Sequence, residues 1–290
     1  MKPPRFEYVA PRTLDEALAF LARSPDETKL IAGGQSLVPL LNLRLIRPKY
    51  VVDLNTVEGL SEIRRPAEGA LRLGAMVRQR ALENHPLVRQ LAPLLPEAAR
   101  YVAHAAIRNR GTVGGSLAHA DPAAELPAAM TVLRARLTLN RADGATRSLS
   151  PEEFFLGPLT TAIRPDEILT AIEIEPPPEN TGWAFLEVAR VHGAFALVGV
   201  AALVHLDRNG IVDLARIALC GVDGVPYAPE WFEEMIVGQR PGSDLFSQVG
   251  RRLRETLQPV SDPVIGAEYR RTAASSLVVR ALDTAHRRAS

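Results

Sequence analysis

Twice in this chain a Gly-Gly pair sits between an apolar run and a small hydroxyl residue. The first is "IAGGQSLVP" (Ile31 to Pro39) and the second lies within "IRNRGTVGGSLAHADP" (Ile107 to Pro122). Around the first, "TKLIAGG" reads as a short buried strand, "SLVPLLNLRL" as a helix with Ser36 as N-cap, and "YVVDLN" as the next strand. This is a βαβ-like unit whose glycine turn feeds a helix N-terminus. Unpaired N–H groups and the positive end of the helix dipole make such a place an anion site. Gly33 and Gly34 are expected to take dihedrals closed to other residues and to let a ligand approach the backbone.

The second turn precedes "DPAAELPAAMTVLRA", where Asp121 reads as an N-cap and Pro122 as the first helical residue. Two such turns facing one another would offer N–H donors to a dianionic group, and a pyrophosphate suits them better than a single phosphate. Glu125 then stands in a first helical turn, placed either to bond a ribose hydroxyl or simply to complement the helix dipole. Neither turn is a G-x-G-x-x-G fingerprint, although Asp53 falls at a plausible ribose spacing. Neither is a P-loop, since no lysine follows.

Composition removes several classes of function. The chain has 290 residues, 34 basic against 33 acidic, and 47% are hydrophobic. That is core enough for one large domain or two to three smaller ones, with no net field toward nucleic acid or an anionic membrane. The N-terminal "MKPPRFEYVAPR" is not a signal peptide, and no apolar run approaches the ~18 residues of a membrane span. A cytoplasmic location is expected. Cys220, the only cysteine, cannot make an internal disulfide, an all-cysteine zinc site or an iron–sulfur cluster. Its apolar setting, "ARIALCGV", suits a buried thiol.

The rest of the chain supplies strands and helices. "TLDEALAFLAR" is a helix capped by Thr13, and "GALRLGAMVRQRALENHPLV" a strand then a helix. Asp143-Gly144 and Asn209-Gly210 are hairpin turns. "EILTAIEIEPPPEN" is a strand running into a proline-rich boundary. Helices follow near Asp244 to Leu257 and Ala267 to His286, with "RRAS" as a frayed end.

The order "IAGGQSLVPLLNLRLIRPKYVVDLN", "IRNRGTVGGSLAHADPAAELPA", "EILTAIEIEPP", "FLEVARVHGAFALVGVAALV" and "EYRRTAASSLVVRAL" resembles, over nearly the whole chain, the FAD-binding medium subunit of the molybdenum hydroxylases. This is the flavoprotein of carbon monoxide dehydrogenase-type and xanthine dehydrogenase-type complexes. The resemblance implies an α+β fold. A two-part FAD-binding domain would span residues 1–176, divided at about 56, and a smaller C-terminal domain of antiparallel strands plus helices would span 180–286.

It also implies non-covalent FAD held by Ala32, Gly33, Gly34, Gln35, Ser36 and Leu37 in the first loop and by Thr112, Gly114, Gly115 and Ser116 in the second. Glu125 matches an acidic ribose-holding position, usually Asp, and Leu169 an apolar contact to the flavin nucleotide. No catalytic or metal-ligating residue is expected. The partners implied are a small subunit with two [2Fe–2S] clusters and a large subunit with the molybdenum cofactor, assembled as a dimer of heterotrimers. This chain would pass electrons from the clusters through FAD to an external acceptor. The chain departs from the family at Gly193-Ala194-Phe195-Ala196, where Ala194 replaces a usual Asp, at Arg190-Val191 in place of an Arg pair, and at Ser116, where some members have Asn.

A stand-alone flavin oxidoreductase of the same fold is the first alternative. The C-terminal part offers no evident acid–base pair for it. The second is an assembly subunit that has lost its flavin, which two intact glycine loops oppose. His104 and His119 flank the second loop, and packing or hydrogen bonding is the commoner use of histidines so placed. Arg108 and Arg110 are candidates for a partner-docking surface.

Overall fold

The computed structural model describes residues 2–66, 69–261 and 265–289. Its α+β architecture comprises three sheets, a two-stranded ribbon and the helices packed on them. The first sheet is parallel, with Tyr50–Asp53 in the middle, Glu7–Val9 on one side and Thr28–Ile31 on the other. Parallel neighbours need a crossover. Helix Leu14–Arg23 leads into Thr28–Ile31, opening on a reciprocal capping box between Thr13 and Glu16 and burying Ala17, Leu18 and Leu21. Those residues meet Val52, Leu54 and Val57 in a small core of their own.

The second sheet is antiparallel. Its central strand, Ile168–Ile174, is flanked by Leu71–Gly74 and Arg136–Asn140, with Ile63–Arg64 and Thr146–Leu149 at the edges. Asp143-Gly144 turns the Arg136–Leu149 hairpin as expected, with Gly144 at φ +83°. The helix read after Leu71–Gly74 is broken in two, Gln79–Asn84 and Pro86–Leu91. Proline has no N–H to give, and it drives the preceding His85 to extended dihedrals, φ −69° and ψ 127°.

The third sheet is a meander of Gly182–Ala189, Ala196–Leu206 and Val212–Cys220. One face carries helices Ser243–Thr256 and Ala267–Arg288 through a core that includes Val200, Phe246, Val278 and Leu282. A Cβ on Gly182 would sit 1.8 Å from the Ala285 carbonyl oxygen, so only glycine lets the long helix lie this close. The other face joins the core under the second sheet. The frayed C-terminal end is corrected. Helix Ala267–Arg288 runs on through Arg287 and Arg288, and the Arg288 guanidinium donates to Glu97 Oε2 at 2.6 Å and to the Trp183 carbonyl at 2.7 Å. Ser290 lies outside the described residues.

Candidate functional site

Strand Thr28–Ile31 ends at Ala32, and helix Leu37–Asn42 begins five residues on. Between them Gly34 adopts φ +72°, the left-handed turn that reverses the backbone. Among the described residues, none accepts a hydrogen bond from the backbone N–H of Gly33, Gly34, Gln35, Ser36 or Leu37. All are half-buried rather than washed by solvent. A successive run of unpaired N–H groups at a turn is an anion-binding nest. Two details of the sequence reading change here. Gly33 is not at positive φ, and Ser36 is already helical at φ −102°, ψ −44° and makes no side-chain cap bond. Gln35 Nε2 instead folds back to the Gly33 carbonyl at 3.0 Å and fixes the turn.

Gly33 has a different use. A Cβ there would lie 2.3 Å from the Arg110 carbonyl oxygen and 2.7 Å from Gly111 Cα. The missing side chain therefore lets the second loop press against the first. Gly115 faces Ala32, its would-be Cβ lying at an ordinary 3.4 Å from Ala32 Cβ, and it is the Thr112 hydroxyl, at 2.7 Å, that a side chain there would strike. The two glycine segments do face each other, as expected from their sequence.

Their roles are unequal. Thr112 is an N-cap whose hydroxyl accepts from Gly115 N–H at 3.0 Å, so Gly114, Gly115 and Ser116 lie inside helix Val113–His119 rather than in a loop before it. Val113 N–H donates to the Val77 carbonyl and Gly114 N–H to that of Ala75. The second segment thus spends these N–H groups on the protein. The open donors belong to the first loop, and Arg110, just before the second segment, is the residue it brings to the cleft beside them. Gly114 is required because a Cβ would sit 2.5 Å from Ala75 Cβ. Asp121 is likewise no helix cap. It accepts from Ala123 N–H in a local turn, and the next helix, Glu125–Val132, starts after Ala124.

Residues not singled out in the sequence join the two segments. Arg78 donates to the Arg110 carbonyl at 2.5 Å and to Asn55 Oδ1 at 2.6 Å. Asn55 in turn donates to the Ala32 carbonyl and to Asp53, which also accepts from Tyr8. Burial, with the neighbouring Arg110 charge, pulls the Arg78 guanidinium below its usual value, and Asp53 opposes this. Asn55, Arg78 and Arg110 border a cleft of about 450 Å³ over Ile31–Gln35, Val38 and Pro39. Its polar lining is backbone N–H, two amide side chains and two arginines, the chemistry of an anion site. A larger hollow, about 680 Å³, lies at the Asp207–Gly210 turn of the third sheet, among other residues. The signal for Asn55 was present in the sequence, since it follows the C-terminal end of a parallel strand, where open sheets bind ligands; Arg78 follows a strand of the antiparallel sheet and had no such signal.

Leu169 is buried in the central strand of the second sheet. Its neighbour Thr170 accepts from Ala75 N–H, and Ala75 accepts from Gly114, so the strand braces the second segment. Glu125 is 6% exposed, and burial pushes its carboxyl up to about 7. Arg108 is not a surface residue. It is 8% exposed and clamped by Glu83 at 2.7 Å and by the Val102 and Ala103 carbonyls at 2.9 Å. Arg110 is exposed. His119 closes its helix, while exposed His104 packs under the Gly193 turn, 6.4 Å from the His192 ring. Phe195, beside Ala194, is 71% exposed. Among the described residues no group of His, Cys, Asp and Glu could hold a metal.

Comparison with known proteins gives the same picture from another direction. Residues 4–177 match the FAD binding domain in molybdopterin dehydrogenase, and residues 183–285 match the CO dehydrogenase flavoprotein C-terminal domain. The chain is 42% identical to caffeine dehydrogenase subunit beta of Pseudomonas sp. (strain CBB1), over 97% of this chain and 95% of that protein. It is 32% identical to the carbon monoxide dehydrogenase medium chain of Hydrogenophaga pseudoflava, over 98% of each. The structure superposes on carbon monoxide dehydrogenase from that organism with a TM-score of 0.95, at 33% identity and 99% coverage of both chains. It matches quinoline 2-oxidoreductase from Pseudomonas putida 86 at 0.93 and 38%, again over 99% of both. A first loop of open N–H groups, a second segment packed against it and two family matches that between them span nearly the whole chain have one meaning: this chain belongs to the FAD-binding medium subunits of the molybdenum hydroxylases, and is an oxidoreductase subunit.

Proposed function

We propose that the chain holds FAD non-covalently and relays electrons from two [2Fe–2S] clusters on a small partner subunit to an external acceptor. The substrate would be oxidised on a large molybdenum subunit. The medium-chain names of the carbon monoxide dehydrogenase relatives support a multi-subunit setting. With Cys220 buried and alone, the clusters must belong to a partner. The division into a FAD-binding part, 1–176, and a C-terminal part, 180–286, belongs to this reading, as does assembly into a dimer of heterotrimers. No described helix is long and apolar enough to cross a membrane.

The observation that carries the proposal is the run of open N–H groups from Gly33 to Leu37. In this reading Ala32, Gly33, Gly34, Gln35, Ser36 and Leu37 bind the pyrophosphate through backbone donors. Thr112, Gly114, Gly115 and Ser116 wall the site, and Arg78 and Arg110 neutralise its charge. Glu125 holds the ribose, and Leu169 supports the nucleotide. Bound FAD supplies the redox chemistry, accepting and releasing electrons, and the protein supplies orientation and electrostatics. No side chain is needed as a proton-transferring base for that relay.

The test is flavin content and selectivity. The purified chain should bind about one FAD, released intact by denaturation, and should bind FMN far more weakly because FMN lacks the pyrophosphate. A colourless chain that takes up neither flavin would refute the proposal. Equal affinity for FMN would remove the loops from pyrophosphate binding.

A further inference from the structure

Arg78 and Arg110 are the two cations on the cleft beside the first glycine turn, and neither is in an ion pair among the described residues. Their neighbours differ. Arg80 and Arg108 both pair with Glu83. A half-buried guanidinium without a counter-ion is costly to keep charged, and burial with the charge of Arg110 pulls Arg78 below its usual value. Two groups nonetheless fix it, and both are neutral acceptors. The Arg110 carbonyl accepts from Nη1 at 2.5 Å, and Asn55 Oδ1 accepts from Nη2 at 2.6 Å. A guanidinium has five N–H donors, so three are bonded to no protein group among the described residues.

The Asn55 amide has one allowed orientation. Its Nδ2 donates to the Ala32 carbonyl at 2.7 Å and to Asp53 Oδ1 at 2.6 Å, so both amide hydrogens are taken by acceptors. The reversed amide would set its oxygen against that carbonyl and carboxylate, and its N–H groups against the guanidinium. Asp53 is held in turn. Its Oδ1 also accepts from the Asn55 backbone N–H at 2.8 Å, and its Oδ2 accepts from the Tyr8 hydroxyl at 2.5 Å. The register of strands Glu7–Val9 and Tyr50–Asp53 places Tyr8 opposite Val51, two residues before Asp53. The carboxylate of this network is thus bonded to Tyr8 and Asn55 and not to Arg78.

We propose that Asn55 is a positioning residue for Arg78: it holds the guanidinium at the cleft through an uncharged oxygen, so that the positive charge remains for the pyrophosphate of FAD. This rests on the reading of the cleft as the pyrophosphate site. An aspartate at this position would also hold Arg78, but it would cancel the charge. Asparagine gives the geometry without the neutralisation.

Arg108 shows the other arrangement within the same segment. It is tied to Glu83 and to two carbonyls, a structural post whose charge is already matched. At Arg78 an arriving anion meets a charge with no carboxylate to displace, and bonds between ionised partners are the strong ones. The Asn55 amide also reaches the Ala32 carbonyl, so Arg78 is set in register with the turn whose N–H groups it assists. Asn55 is exposed, and its backbone N–H still caps Asp53 when the side chain is cut back, so its removal opens no cavity.

The experiment measures FAD affinity at pH 8 by fluorescence quenching in wild type, Asn55→Ala, Arg78→Ala, the double variant and Asn55→Asp. Thermal melts of the flavin-free chains show that each is folded. Asn55→Ala should weaken FAD binding about tenfold in the wild-type background and less than about twofold where Arg78 is already alanine. Equal losses in both backgrounds would overturn the positioning role, since Asn55 would then act without Arg78. Asn55→Asp keeps an acceptor for Arg78, yet it should bind FAD more weakly than Asn55→Ala, and its affinity should fall less steeply with added salt than that of wild type. Tighter binding in Asn55→Asp than in Asn55→Ala would overturn the need for an uncharged holder. Should Asn55→Asp fail to fold, the double-variant cycle still decides the positioning role. Inorganic pyrophosphate, titrated against the same chains by thermal shift, separates this inference from the proposed function. A chain that binds pyrophosphate through Arg78 and Asn55 but takes up no FAD would refute the function and uphold the inference, and a chain that binds neither would refute both.

Discussion

Gly34 and Gly210 form a natural controlled pair. Their φ values are +72° and +73°, so alanine at either position carries the same left-handed backbone strain. That strain is roughly 1–2 kcal/mol per residue. The surroundings differ. A Cβ at Gly210 meets nothing within 4 Å, whereas at Gly34 it meets Val38 Cγ2 at 3.2 Å, a side chain able to give by a few tenths of an ångström. Stability should therefore drop by similar amounts in Gly34→Ala and Gly210→Ala, a few degrees in Tm at about 2–4 °C per kcal/mol for a domain of this size.

Flavin binding should separate the two. If the Gly34→Ala strain is relieved by rotating the turn, the N–H groups of Gly33 to Leu37 no longer converge. Losing about 1.4 kcal/mol of that interaction weakens binding tenfold. Gly210 lies at a hairpin turn of the third sheet, so Gly210→Ala should leave affinity unchanged. Fluorescence-quenching titration with FAD, alongside thermal melts of the flavin-free variants, measures both quantities. Equal FAD affinity in the two variants, with comparable Tm losses, would show that the turn is only a turn.

Three further outcomes come from residues whose burial is now known. Arg108→Ala should destabilise the chain by about 2–4 kcal/mol because it strands the Val102 and Ala103 carbonyls and leaves Glu83 Oε1 unpaired, with only Arg80, at 2.8 Å from Oε2, still facing the carboxylate. Arg110→Glu, at an exposed position on the rim of the cleft, should shift Tm little but weaken FAD binding severalfold, as fluorescence-quenching titration would show. Cys220 is fully buried, and burial together with Glu125 and Glu187 raises its thiol well above the usual value. A maleimide or disulfide reagent at pH 8 should leave the native chain unlabelled and modify one thiol per chain in denaturant.

What could be read from the sequence was what contiguous residues decide. The first glycine turn, its flanking strand and helix, the Thr13 cap and both hairpin turns are local events, and the structure forms each of them. What failed depended on distant partners. The second glycine segment looked like a donor loop, but its N–H groups are taken by Val77 and Ala75, which the sequence alone does not bring alongside. Arg108 looked like a surface charge because nothing in "IRNRG" reveals Glu83. Ser36 and Asp121 have the side chains of N-caps, yet one is already inside helical dihedrals and the other caps a turn. Glu187 follows Trp183 and Phe185 at a period of two, a local pattern that puts a carboxyl on the inward face of the strand.

The cleft at Gly33 is sewn together from segments far apart in the chain. Asn55 must find Arg78 across 23 residues and Arg78 must find Arg110 across 32. Each closure costs chain entropy before any contact repays it, and such non-local pairings form late in folding. A nascent or partly denatured chain can therefore own an intact Gly33-Gly34 turn and still have no second wall to close the cleft. Flavin uptake should consequently lag behind the growth of secondary structure on refolding. Yellow colour would then report that the Asn55–Arg78–Arg110 seam has closed, which circular dichroism alone does not reveal.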